Sequence, residues 1–205
     1  MTEDVLTKVD AGVATITLNR PGKLNAFTAP MLDAFMAALT EAAADVRIRV
    51  VTLTGSGRGF CAGQDLSDRK VAPGDDAPDL GKSLEERYNP AVRLLRTMPK
   101  PVIVGVNGVA AGAGANLALA GDLVIAAKSA RFVQSFARLG LVPDSGGTFF
   151  LPRALGMPRA VGLALTGDTL SAQQAAEWGL IWQVVDDDAL PGVLADLAAQ
   201  LAKGP

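Results

Sequence analysis

The sequence predicts an α/β fold, and three observations carry the prediction. Short β-like apolar runs alternate with helical patterns from one end of the chain to the other. Two of those runs, ending near residues 55 and 107, pass into glycine-rich turns of the kind that link a strand to a helix. The chain has 205 residues, 49% of them hydrophobic, which suits one domain with a sizeable core.

The elements follow in order. "VATITL", 13–18, alternates as a half-buried strand does. "TAPMLDAFMAALTEAAAD", 28–45, reads as a helix, with Thr28 or Ala29 at its cap and Pro30 in its first turn. "VRIRVVTLTG", 46–55, is a strand. Residues 67–82 are rich in Asp, Pro and Gly and read as a surface loop. "SLEERYNPAVRLLRTM", 83–98, is helical with a kink at Pro90, and "PVIVGVNG" is a buried strand. "AGAGANLALAG" opens a helix, and "DLVIAA" returns as a strand. Helices follow at 147–155 and 158–166. "SAQQAAEWG" is a helix capped by Ser171 and stopped by Gly179. "LIWQVV" is a late strand, and a helix over 188–203 closes the chain.

Composition removes several functions. There are no histidines, so a Ser-His-Asp triad, a Cys-His pair and a histidine metal site are all impossible. Proton transfer falls to Asp, Glu, Lys, Tyr, Cys or water. The single Cys61 permits no internal disulfide and fits a reducing, cytoplasmic setting. A net charge of −2 gives no electrostatic reason to expect nucleic acid, and no run reaches the ~20 apolar residues of a membrane span. The N-terminus has no secretory pattern.

Three segments are candidate sites, and each has a plainer reading. "GSGRGFCAGQDL", 55–66, could bring backbone amides to a ligand, or be a flexible turn with Asp65 as a cap. "NGVAAGAGANLAL", 107–119, could do the same, or serve close helix packing through Gly and Ala. It is a poor dinucleotide loop, since Leu117 stands at the third glycine position. "GLVPDSGGTFFLP", 140–152, sets one carboxylate, Asp144, among apolar residues. Such surroundings disfavour the charged form and would suit a general base, whereas Pro-Asp-Ser-Gly is also ordinary turn and cap chemistry. "GDDAPDLGKS", 74–83, has the wrong spacing for a phosphate loop, and Cys61 reads as a buried small side chain.

Five motifs taken in order resemble the crotonase (enoyl-CoA hydratase/isomerase) superfamily. They are "LNRPGKLNAF" at 18–27, "GRGFCAGQDL" at 57–66, the run from Pro101 to Ala127, "GLVPDSGGTFFLPR" at 140–153, and "LTGDTLSAQQAAEWGLIWQVV" at 165–185. The resemblance implies an α/β spiral of repeated ββα units forming a single catalytic domain over 1–205. The family's usual C-terminal helical tail is expected to be largely absent, cut off near 190–205. It implies an acyl-CoA thioester substrate, no separate cofactor and no metal, and a homo-oligomer, trimer or hexamer, with no nucleic-acid or membrane partner. The family's oxyanion hole falls on the backbone amides of Ala62 and Ala113. CoA contacts fall on Lys23, Leu24, Ala26, Gln64, Asp65 and Leu66.

Family hydratases carry two glutamates that handle water, and the matching positions here hold Asn116 and Phe136. Family isomerases use one acid in a Pro-acid-Gly/Ser-Gly pattern, and Asp144 stands there. The expectation is an acyl-CoA isomerase with Asp144 as its proton shuttle. The sequence looks most like the members of phenylacetate catabolism that rearrange ring-1,2-epoxyphenylacetyl-CoA to an oxepin-CoA, with a Δ3-to-Δ2 enoyl-CoA shift as a related activity. A hydratase with another base, or a silent acyl-CoA binder, are the alternatives.

Overall fold

The computed structural model describes residues 3–65 and 79–204. A hairpin opens the chain: β1 (Val5–Asp10) and β2 (Val13–Leu18) pair antiparallel about Ala11 and Gly12, both at positive φ, as a two-residue hairpin turn requires. β2 buries Ala14, Ile16 and Leu18 on alternate positions. Thr28 caps α1 (Ala29–Ala44), its hydroxyl accepting from the Met31 amide. Met31, Leu32, Phe35, Ala38, Leu39 and Ala42 make the buried stripe of α1.

β3 (Val50–Gly55) starts later than the apolar pattern suggests. Asp45 is the reason: its carboxylate takes the amide and guanidinium of Arg47, and its carbonyl takes the Ile48 amide, so the chain turns before it extends. β4 (Gly59–Cys61) comes next. The helical run before β5 is α2 (Leu80–Ser83), a wide π turn over Leu84–Tyr88, and α3 (Asn89–Thr97). The predicted disturbance at Pro90 takes the form of that π turn: Pro90 has no N–H to give, and the Asn89 amide reaches back to Leu84.

The remaining elements are β5 (Val102–Val106), β6 (Val109–Ala111), α4 (Ala113–Leu119), β7 (Leu123–Ala127) and β8 (Arg131–Val133). Then come α5 (Gly147–Leu155), α6 (Met157–Thr166), β9 (Thr169–Ser171), α7 (Ala172–Glu177), β10 (Gln183–Val185) and α8 (Leu190–Ala202). Ser171 and Gln174 close a reciprocal capping box on α7, and Gly179 follows it at φ 80°.

Two sheets result. The larger runs β1-β2-β3-β5-β7-β10 and is parallel except for β1. The smaller runs β4-β6-β8-β9. Each of β3, β5 and β7 lies in the larger sheet and its successor, β4, β6 or β8, in the smaller, so the ββα unit repeats as expected. β5 is buried at all five positions, as a continuous apolar run is when both faces of its sheet are covered. On one of them α8 sets Leu194 against Gly105.

The corners between strands are pinned by buried or part-buried asparagines. Asn25 donates to the Ser56 and Gly59 carbonyls, and Asn107 donates to Gly57 and accepts from the Gly55 amide. Gly108 sits so close that a Cβ there would lie 2.2 Å from the Arg58 carbonyl oxygen. Gly108→Ala is therefore expected to cost about 1–3 kcal/mol, since backbone rather than a pliable side chain must move. Urea denaturation reads this directly, and an unchanged midpoint would show that the corner relaxes freely.

Candidate active site

The two glycine-rich turns lie side by side because β4 and β6 pair in parallel and both leave the same end of the small sheet. They touch backbone to backbone. A Cβ at Gly63 would lie 2.8 Å from the Ala111 carbonyl oxygen and 3.6 Å from the Ala113 nitrogen. A Cβ at Gly114 would lie 2.4 Å from the Cys61 carbonyl oxygen. Gly63 also has φ +86° and Gly112 φ +52°. Ala113 is the first residue of α4, so its amide has no acceptor within its own helix.

The second turn amide differs from expectation. The Ala62 N–H donates to the Leu24 carbonyl at 2.9 Å, so it is spent on holding the turn to the segment at 20–27. The Gly63 amide turns to Cys61 Sγ at 3.4 Å, and the Asp65 amide to the Phe27 carbonyl at 2.8 Å. Phe27 in turn donates to Gly63 at 2.7 Å, which makes Phe27 and Gln64 a parallel bridge pair. In that pairing the N–H of Gln64 points away from Phe27. Ala62 thus anchors the turn, and the amide aimed to the other side belongs to Gln64.

The same bonds bring the expected CoA contacts to the turn. Lys23 is exposed, Leu24 half-buried at φ +49°, and Ala26 buried. Asp65 is 8% exposed and its carboxylate meets the Arg20 guanidinium at 3.1 Å, so that side chain fastens the turn to residue 20. Leu66 lies outside the described residues. Cys61 is fully buried, and desolvation pushes its thiol up to about 12, which keeps it neutral and unreactive.

Asp144 stands on a tight turn. Ser145 and Gly146 follow it at φ +47° and +83°, and α5 begins at Gly147. The cap position of α5 is Gly146, not Asp144. The Asp144 carbonyl accepts from the Gly147 amide and from Asn116 Nδ2, each at 2.8 Å. Ser145 Oγ donates to Asp144 Oδ1 at 3.0 Å. Asn116 lies in the first turn of α4, so Asp144 is docked on the helical turn that starts with the Ala113 amide. Phe136, on a 3₁₀ turn at Ser135–Leu139, is buried, and its ring lies 3.7 Å from where a Cβ on Gly112 would stand.

The apolar setting is less enclosed than the sequence suggests. Asp144 is half-buried, while Val142 is 78% and Phe149 50% exposed. Three contributors gave little sign in the sequence. Gln134 lies in no motif, and Arg20 and Ser145 lie inside two of the five motifs with nothing local to single them out. Gln134 shows its part only in space, through Nε2 to Asn116 Oδ1 at 2.9 Å.

Comparison with known proteins agrees with the fold. The enoyl-CoA hydratase/isomerase family model matches residues 8–205. The 1,2-epoxyphenylacetyl-CoA isomerase of Escherichia coli K12 is 58% identical over 205 residues, covering 100% of this chain and 78% of that protein. A Rhodobacter capsulatus relative, named "probable enoyl-CoA hydratase", is 48% identical over 97% of this chain and 75% of its own length. A solved structure of a Pseudomonas aeruginosa protein, 38% identical, superposes with a TM-score of 0.92, covering 100% of this chain and 88% of that one. With a family model spanning nearly all of it and a relative at 58% identity, this chain belongs to the enoyl-CoA hydratase/isomerase family of enzymes.

Proposed function

We propose that the chain is an isomerase of acyl-CoA thioesters, working as one catalytic domain over 1–205 without a separate cofactor, CoA arriving with the substrate. The observation that carries this is the docking of Asp144: its turn is tied to Asn116 in the first turn of α4, beside the Ala113 amide, and it leaves the cap of α5 to Gly146. The thioester oxygen would lie between the Ala113 amide and the turn at 62–65. There the Gln64 amide, by its direction, takes the part expected of Ala62. Donors aimed at a developing enolate are worth ~3–4 kcal/mol each in other enzymes. In a Δ3-to-Δ2 shift, Asp144 takes a proton from C2 as the dienolate forms and returns it at C4, so the carboxylate ends as it began.

Positions 116 and 136 favour isomerisation over hydration. Asn116 has both ends of its amide committed, to Gln134 and to Asp144, and Phe136 is hydrocarbon. Neither can activate water. The name borne by the Escherichia coli relative supports ring-1,2-epoxyphenylacetyl-CoA as the substrate and oxepin-CoA as the product. Lys23, Leu24 and Ala26, on the segment held to the turn through Ala62 and Asp65, would line the CoA arm. The exposed Val142, Phe149, Met157, Leu165 and Trp182 support a homo-oligomer, a trimer or hexamer as in the family. Among the described residues no helix is long and apolar enough to cross a membrane.

Asp144→Asn keeps the shape and removes the base, and it should cut isomerase turnover at least ~10²-fold with little change in acyl-CoA affinity or melting temperature. Kinetics with trans-3-hexenoyl-CoA, followed by the rise in conjugated enoyl absorbance, measure it. Turnover near that of an active native chain would remove Asp144 from the mechanism and favour another base, whereas no turnover by the native chain itself would favour a silent binder. Crotonyl-CoA hydration by the native chain should be negligible, and loss of enoyl absorbance at ~10 per second or faster would restore the hydratase reading. Cys61→Ala should leave turnover within a few-fold, because a thiol held neutral up to about 12 takes no part; an inactive but folded variant would contradict this.

A further inference from the structure

We infer that Asn116 and Gln134 are a two-amide strut that positions Asp144; this rests on the reading of Asp144 as the proton shuttle. The strut is continuous: Gln134 Nε2 donates to Asn116 Oδ1 at 2.9 Å, and Asn116 Nδ2 donates to the Asp144 carbonyl at 2.8 Å. Asn116 is fully buried and Gln134 is 3% exposed. One end stands on the segment just after β8, and the middle on the first turn of α4. The far end therefore holds the Asp144 backbone to the same rigid turn that presents the Ala113 amide.

The turn at Asp144 needs such a hold. Ser145 is a non-glycine residue at φ +47°, a conformation that persists only when the surroundings impose it. Contact is tight as well: a Cβ on Gly147 would lie 2.4 Å from Asn116 Nδ2. The strut is also imperfect as packing. Among the described residues Gln134 Oε1 is buried with no hydrogen-bond partner, so the pair leaves one acceptor unsatisfied even as Nε2 serves Asn116. A local rule broken inside a candidate site points to a demand other than stability. The demand here is distance. Misplacing a proton-transfer group by ~1 Å can cost ~10²-fold in rate.

The test uses the full chain and trans-3-hexenoyl-CoA. Asn116→Asp keeps the acceptor for Gln134 but sets a carboxylate oxygen against the Asp144 carbonyl. Gln134→Met nearly conserves volume and removes the orphaned acceptor, which keeps the test open if the first variant does not fold. The expected result for each variant is a kcat per folded molecule lowered ~10- to 100-fold with KM within ~3-fold. A purely structural pair would instead lower the melting temperature and spare kcat per folded molecule. If either folded variant keeps kcat within ~3-fold while Asp144→Asn is inactive, the strut is overturned and the base stands. If Asp144→Asn itself keeps turnover, the base assignment falls and the inference falls with it.

Discussion

The contact on which the site depends is between two pieces of backbone, Cys61–Gly63 and Ala111–Gly114. A Cβ at Gly63 or Gly114 would lie 2.8 or 2.4 Å from a carbonyl oxygen across the contact. Side chains larger than hydrogen would drive β4 from β6 and separate the two turns. The closeness brings the amides of two ββα units to one place, and helix geometry then leaves the first amide of α4 without an internal acceptor. The neighbouring bonds serve the same contact. Ala62, Gly63 and Asp65 each spend an N–H on fixing their turn, and Arg20 meets Asp65 behind it.

The third unit completes the arrangement. Asp144 comes from the connection after β8, yet it is tied to α4 of the second unit through Asn116. The candidate site therefore exists only where successive turns of the spiral stack, and the buried asparagines at the strand corners keep that stacking in register. Asn25 joins residues 20, 56 and 59, and Asn107 joins 55, 57 and 59. Each would be costly to bury unpaired, and each is satisfied by carbonyls or amides that the neighbouring strand ends leave over.

Much of this was legible from residue order. β2, α1, β5, α4, β7, α5, α6 and α7 stand where alternation, caps and stops put them, because each has enough length for its period to show. β4, β6, β8 and β9 have three residues each, too few for any period, so the smaller sheet was invisible except through the family resemblance. Asp144 stood out as an acid among apolar residues, and its turn chemistry was equally plain. Gln134 gave no local sign, since its partner is 18 residues away and appears only when β8 returns beside α4. The Ala62 assignment shows another limit. A motif can mark the turn, but which of its amides faces outward depends on the bridge between Phe27 and Gln64, and that pairing is set by tertiary structure.

Stabilising an enolate and moving a proton are separate tasks, and in the proposed reading this site divides them between backbone and side chain. The backbone frame would serve any reaction that passes through a thioester enolate, so it does not distinguish isomerase from hydratase. The distinction rests on which side chains can hold a proton near that frame. Water addition needs a group to activate water as well as one to protonate carbon, whereas a shift of the double bond needs one group that takes and returns the same proton. At position 116 an amide occupied at both ends cannot accept a proton, but it can hold a neighbour still. In the proposed reading, the replacement of an acid by Asn116 removes one chemistry and supplies the support that the remaining acid, Asp144, requires.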